Sequence, residues 1–459
     1  QGATLVGDGR FGTLRISSET NLGGNPTYYG GAWLNLNRGI LETTSTMAID
    51  DANRGIVIGP SGGVFRPAAG TTLTIATTLN SPAAGNTLQT APMDSNPIQG
   101  IFIKEGGGTL VLTHPNNSHN AEMQVQQGEL RLEGGGRINN GDHWMPVTLN
   151  STLNYNSTAT QTLRGVISGN GTLVKNNTGT LNINGSNSFS GSVTVNGGTL
   201  YANPGNAAAN RAFSFVSGIT VNNGGTLRSG TNGLFGWDGT QEKPITVNAG
   251  GTLTTNGGLV SDVGVGSVTL NGGTLASLAG GAADWGSWRF DQATDKLRVT
   301  QNSTASATNV KFGDPGAAIE VAAGKTLDFT GTITDATNGG TSYLTKTGTG
   351  TLLLAGANTH SGATAVNAGT LRLNGSIAAG STVSVASGAT LSGTGTASGT
   401  LTVASGAIHA PGDPAGTQTV GGALAYASGS RLQWTWVANS DASGAASRVA
   451  AGNVTVTPR

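Results

Sequence analysis

Three segments of this chain align when each is set on a lysine. They are KEGGGTLVLTHPNNSHNAEMQVQQGELRLEG from Lys104, KNNTGTLNINGSNSFSGSVTVNGGTLYANPG from Lys175 and KTGTGTLLLAGANTHSGATAVNAGTLRLNG from Lys346. A glycine falls four positions after each lysine, at Gly108, Gly179 and Gly350, and Thr-Leu pairs follow that end on Leu110, Leu181 and Leu352. An asparagine falls twelve after the lysine, at Asn116, Asn187 and Asn358. A closing Gly-x-Leu element ends at Leu130, Leu200 and Leu371, with one inserted residue in the first copy. A unit this short cannot bury a core by itself. Repetition therefore restricts the chain to architectures in which neighbouring copies stack.

Shorter echoes fill the intervals. ITVNNGGTL (219–227), ITVNAGGTL (245–253) and VTLNGGTL (268–275) share one form, and VSVASGATL (383–391) is close to it. Each is an alternating β-branched run, a turn of Asn, Ser or Gly, and a new Thr-Leu strand. Leu200, Leu227, Leu253 and Leu275 lie 27, 26 and 22 residues apart. That matches one coil of a parallel β-helix, not the shorter strand rhythm of a sandwich. Gly is 76 of 459 residues, yet no Gly-X-Y period runs through the chain. In a β-helix the glycines serve as corners that need positive φ, and the alternate Val and Leu residues point inward. NAEMQVQQGELRLEGG (120–135) favours a helix on propensity, but the alignment sets Val125 with Val195 and Val366, so it reads as strand. The expected fold is all-β: a right-handed parallel β-helix with roughly 20–27 residues per coil, about 20 coils and a length near 90–100 Å. Residues 1–100 read as divergent coils and 101–459 as repeat-bearing coils of one continuous solenoid. Within the first segment, AAGTTLTI (68–75) echoes AAGKTLDF (322–329).

The copies resemble the autotransporter-associated β-strand repeat of bacterial surface-protein passengers. The resemblance rests on LTKTGTGTLLLAGANTHSG with AVNAGTLRLNG, and on LVKNNTGTLNINGSNSFSG with VTVNGGTL. The tail around APGDPAG (410–416) is similar to the end of such passengers. The resemblance implies an extracellular or bacterial cell-surface rod. It says nothing of what the rod does, because a scaffold does not specify a site.

Charge and composition narrow the partners. Lys+Arg and Asp+Glu are both 23, so no net field attracts nucleic acid or an anionic membrane. No apolar run approaches a membrane span. Cysteine is absent and the chain opens on Gln1, which fits a processed, secreted product without disulfides. The terminal stretches QGATLVGDGRFGTL and VAAGNVTVTPR do not read as capping helices. Open coil ends need cover, so the expected partner is a second copy stacked head to tail.

Catalytic signals are sparse, and the expectation is a non-enzyme without cofactor or metal. The five histidines (114, 119, 143, 360 and 409) sit in unrelated surroundings, and His360 reads as a turn residue. No HExxH motif or nucleophile elbow appears. Asp50-Asp51 looks like a glycosidase pair, but adjacent strand residues point to opposite faces, and a solvated turn is the better reading. ADWGSWRFDQATD (283–295) brings Asp284, Trp285, Trp288 and Asp291 together as a candidate glycan or partner contact. The competing reading makes these aromatics core cover. A polysaccharide-binding or polysaccharide-degrading β-helix is thus the alternative to a structural, adhesive rod.

Overall fold

A computed structural model describes residues 4–6, 12–80, 100–204, 212–231, 234–235, 243–256, 262–277, 287–335, 340–412, 415–436 and 446–457. Among these residues there is no α-helix, only two short 3-10 turns at Glu19–Leu22 and Asn139–Gly141. The chain forms two compact units, one of residues 1–219 with 225–227 and one of 220–224 with 228–459. Each is a β-solenoid of stacked parallel strands. Together they hold about 16 turns, fewer than the expected 20 or so. The count falls because some coils are long: Leu73 pairs with Leu110, whereas Val383 pairs with Leu401.

In the first unit the repeat logic sets the register. Leu110 lies beside Leu73 and Leu130, Leu130 beside Leu153, and Leu153 beside Leu173. All of these leucines are buried, as are Val125, Val195 and Leu200. The 120–135 segment supplies strands Met123–Val125 and Glu129–Gly134, so the alignment prevails over helix propensity. In the second unit Leu327, Leu352, Leu371 and Leu391 form one such file and are fully buried. Each buried leucine contributes about 1.5–3 kcal/mol, so the core file is the main stabilising term.

Each repeat copy also contains its own stacking partner. Lys104 pairs with Val125 and Leu110 with Leu130; Lys175 pairs with Val195 and Leu181 with Leu200; Lys346 pairs with Val366 and Leu352 with Leu371. One copy is therefore a coil plus the start of the next. The glycine after the lysine lets the coils approach. A Cβ on Gly350 would sit 2.2 Å from the Ala322 carbonyl oxygen, and Gly108 and Gly179 face Ala68 and Ala159 in the same way. Gly369, at φ +66, turns the corner before the closing leucine.

Outside the core, like residues stack on like. Asn154 Nδ2 donates to Glu129, Asn176 Nδ2 to Asn154 Oδ1, and Asn196 Nδ2 to Asn176 Oδ1. In the second unit Asn248 donates to Asn222 and Asn271 to Asn248. These amide ladders follow from in-register pairing, which places identical side chains about 4.8 Å apart.

Candidate functional site

The repeat lysines are buried, although nothing in their sequence context announces it. Lys104, Lys175 and Lys346 are each 0% exposed. Lys346 Nζ donates to the carbonyls of Thr347 (2.8 Å), Gly348 (2.8 Å) and Ala368 (3.1 Å). Lys175 reaches Asn176, Asn177 and Gly197, and Lys104 reaches Glu105, Gly106 and Gln127. Two acceptors lie at the lysine's own corner and the third at the corner of the next coil. The ammonium thus uses all three of its donors to join successive coils. Burial lowers each lysine to about 8, which leaves it charged at neutral pH. The arrangement is a structural staple.

The asparagine position plays a similar part. Asn187 Oδ1 accepts from Ile167 N, and Asn358 Oδ1 from Ile333 N, both across coils. In the first copy this role falls to Asn117, which accepts from Leu79 N and donates to the His114 and Arg137 carbonyls. Asn116, the residue expected from counting, is exposed. The inserted residue of the first copy therefore lies between Leu112 and Asn117.

Next comes a core position filled by His119, Phe189 and His360, all essentially buried. His360 lies outside the strands, as a turn residue would, but its side chain is buried in the core. Its Nε2 lies 2.9 Å from Thr364 Oγ1 and 3.4 Å from Ser381 Oγ, and these hydroxyls lie 3.0 Å apart. Burial pulls the imidazole down to about 4, only partly opposed by Asp335. A hydroxyl, an imidazole and a nearby carboxylate suggest nucleophilic chemistry. However, Thr364, His360 and Ser381 are all 0% exposed, so the hydroxyls are closed to a substrate. His119 and His143 are likewise buried, and burial holds them near 3 and 4. His409 is tied to Tyr426 Oη and Gln418 Oε1 at 2.6 Å each. Four of the five histidines are core groups.

The other sequence candidates divide. Asp50 is exposed and Asp51 Oδ1 caps the turn by accepting from Asn53 N, so no spaced acid and base emerge there. Trp288 is 0% exposed and its Nε1 donates to the Ala276 carbonyl at 2.8 Å, which leaves no ring face for a sugar. Its partners in the core are Val263 and Val310. Asp291 pairs with Arg289 at 2.5 Å. Asp284 and Trp285 lie outside the described residues. Among the described residues no group of three or more His, Cys, Asp or Glu side chains forms a candidate metal site. No helix among them is long and apolar enough to cross a membrane.

Two exposed features carry chemistry, and only the first went unmarked in the sequence. In the first unit Trp144, 40% exposed, packs under the Arg164 guanidinium at 4.3 Å, and Arg164 Nε donates to Asp142 Oδ1 at 2.6 Å. In the second unit the nine-residue strand Arg448–Val456 pairs on one edge with Thr417–Tyr426. Its Val454 and Val456 continue the files Val383–Leu401–Leu424 and Val385–Val403–Tyr426, yet are 55% and 65% exposed. Trp434 and Trp436 are exposed as well. This second feature lies in VAAGNVTVTPR, the stretch marked in the sequence as no capping helix, and its VTV repeats the inward alternation of earlier strands.

Comparison with known proteins agrees with the repeat geometry. The Passenger-associated-transport-repeat family model matches residues 102–132, 173–202 and 344–373, which are the three lysine-anchored copies. These three segments therefore match the passenger-associated-transport repeat. It is also similar to a protein described as "Adhesin BmaC autotransporter" from Brucella suis biovar 1 (strain 1330), at 40% identity over 114 residues. That match covers 23% of this chain and 3% of the relative's length. No solved structure matches.

Proposed function

We propose that this chain is a non-catalytic, adhesive rod held outside the bacterial cell. The observation that supports this most is the use of its reactive groups. The lysines and most of the histidines of these passenger repeats are sealed in the core as staples and packing, leaving recognition to the outer faces. The similarity to an autotransporter named as an adhesin points the same way. Purified chain displayed on beads should attach to epithelial cells or extracellular matrix above an albumin-coated control. Attachment no better than the control would remove the adhesive reading. Turnover of a polysaccharide by the native chain would favour the enzymatic alternative.

A second part of the reading concerns self-association. Val454 and Val456 keep the core register of the preceding coils yet are 55% and 65% exposed, so they offer apolar side chains that a further strand would cover. An exposed strand with apolar side chains is a template for another strand. The occupant proposed here is the first coil of a second copy, which would preserve the parallel direction and propagate head to tail. Sedimentation velocity should show concentration-dependent oligomers that Val454→Lys with Val456→Lys abolishes. A strictly monomeric native chain across the concentration range would refute this part alone.

A further inference from the structure

The outer face around Trp144 offers a ligand surface of definite chemistry. Strand pairing sets Asp142 beside Thr162, Thr162 beside Asn182, and Asn182 beside Tyr201. The inward neighbours His143, Leu163, Ile183 and Ala202 are buried, so this file points outward by alternation. Asn182 Nδ2 donates to Thr162 Oγ1 at 3.1 Å, which fixes the amide along the file. Beside it Trp144 and Arg164 begin a second file, because Arg164 N bonds the His143 carbonyl across the coil step. The two charges of the strip neutralise each other through the Arg164–Asp142 pair.

We infer that this strip binds a neutral, linear oligosaccharide lying along the direction of coil stacking. Three properties support that occupant. Trp144 offers a ring held in place by Arg164, suited to the C–H face of a sugar ring. Thr162 and Asn182 add a hydroxyl and an amide for the sugar's hydroxyl rim. From Asp142 to Tyr201 the file advances three coil steps, about 14 Å at about 4.8 Å each, so successive side chains recur at the scale of successive rings in an extended glycan. A protein partner fits less well, since the strip lacks the contiguous apolar centre of a protein interface. A polyanion or polycation fits less well because the strip's charges are internally paired.

The inference rests on the adhesive reading but is tested apart from it, using free sugars and purified chain without cells. The probes are cellohexaose and chitohexaose, with glucose and N-acetylglucosamine as monomer controls and a hyaluronan hexasaccharide as the acidic control. Calorimetric titration should show one hexamer binding with Kd on the order of 1 mM or tighter, and its monomer at least about tenfold weaker. Trp144→Ala should weaken the hexamer at least about tenfold, and Asn182→Ala should weaken it measurably, each with an unchanged melting temperature. Trp434→Ala should bind like the native chain. If neither neutral hexamer binds, if hyaluronan binds best, or if Trp144→Ala retains full affinity, the inference fails. If binding holds while cell attachment fails, the strip survives and the adhesive reading does not.

Discussion

Replacing Lys346 by methionine tests the staple directly, since Met fills much the same volume without the ammonium. The carbonyls of Thr347, Gly348 and Ala368 each lose a charged donor. At about 2 kcal/mol for each unsatisfied buried acceptor, that costs about 6 kcal/mol. The substitution also relieves the burial of a charge. The fall of Lys346 from 10.5 to about 8 corresponds to about 3 kcal/mol at about 1.4 kcal/mol per pH unit. The net expectation is a destabilisation of about 3 kcal/mol at pH 7. Urea unfolding followed by circular dichroism measures it. Amide exchange at Asn367, whose N–H bonds the Lys346 carbonyl, and at Thr370 localises it to the stapled corner. The lysine also carries a pH signature. Its folded value lies below its free value, so the unfolded chain binds more protons between about pH 8 and 10.5, and its contribution to stability rises with pH through that window. The variant should lose that rise. If Lys346→Met unfolds within about 0.5 kcal/mol of native and exchanges no faster at Asn367, the staple is not a stabilising device.

Three further outcomes follow from the same geometry. Burial holds His360 near 4, against an ordinary 6.5, so the unfolded chain takes up more protons between those values and stability falls as pH drops through that interval; His360→Phe, the residue at the equivalent Phe189, should remove about 3 kcal/mol of that acid loss in urea titrations at pH 7 and pH 4. Gly350→Ala forces a Cβ to 2.2 Å from the Ala322 carbonyl and should cost about 1–3 kcal/mol or more by thermal unfolding, whereas Gly388→Ala meets open space and should lose only about 1–2 kcal/mol from its φ of +78. Asn117→Ala should destabilise by about 1–3 kcal/mol by removing the acceptor of the Leu79 N–H, while Asn116→Ala should be silent; equal effects would overturn the placement of the inserted residue.

The stacking register was legible because in-register pairing forces core positions to recur as like residues. Leu253 and Leu275, read from the sequence as one coil apart, do lie side by side. The same logic overrode helix propensity at Met123–Val125. What sequence could not supply was the direction of polar side chains. A lysine in a strand is ordinarily solvated, so the burial of Lys104, Lys175 and Lys346 became visible only when corner carbonyls were seen converging on Nζ. Counting from the lysine chose Asn116 over Asn117, because a one-residue insertion has no fixed place in a loop. Trp288 shows the same limit: an aromatic beside carboxylates reads alike as platform or core, and packing alone decides. The Trp144 strip was missed because its members lie on successive coils and are scattered in sequence.

The asparagine ladders tie the molecule's chemical ageing to its architecture. Asn196 and Asn271 each precede a glycine, the neighbour that least hinders cyclisation of an asparagine side chain onto the following nitrogen. Both side chains hold a rung: Asn196 donates to Asn176, and Asn271 to Asn248. While a rung is held, its amide is turned towards the neighbouring coil and away from the backbone nitrogen that would attack it. Once it converts to aspartate, the donor is gone and a carboxylate faces the carbonyl oxygen of the next rung. Deamidation at these two positions is therefore gated by loosening of a coil and then loosens that coil further, while the inner rungs Asn154, Asn176 and Asn248, which no glycine follows, are spared.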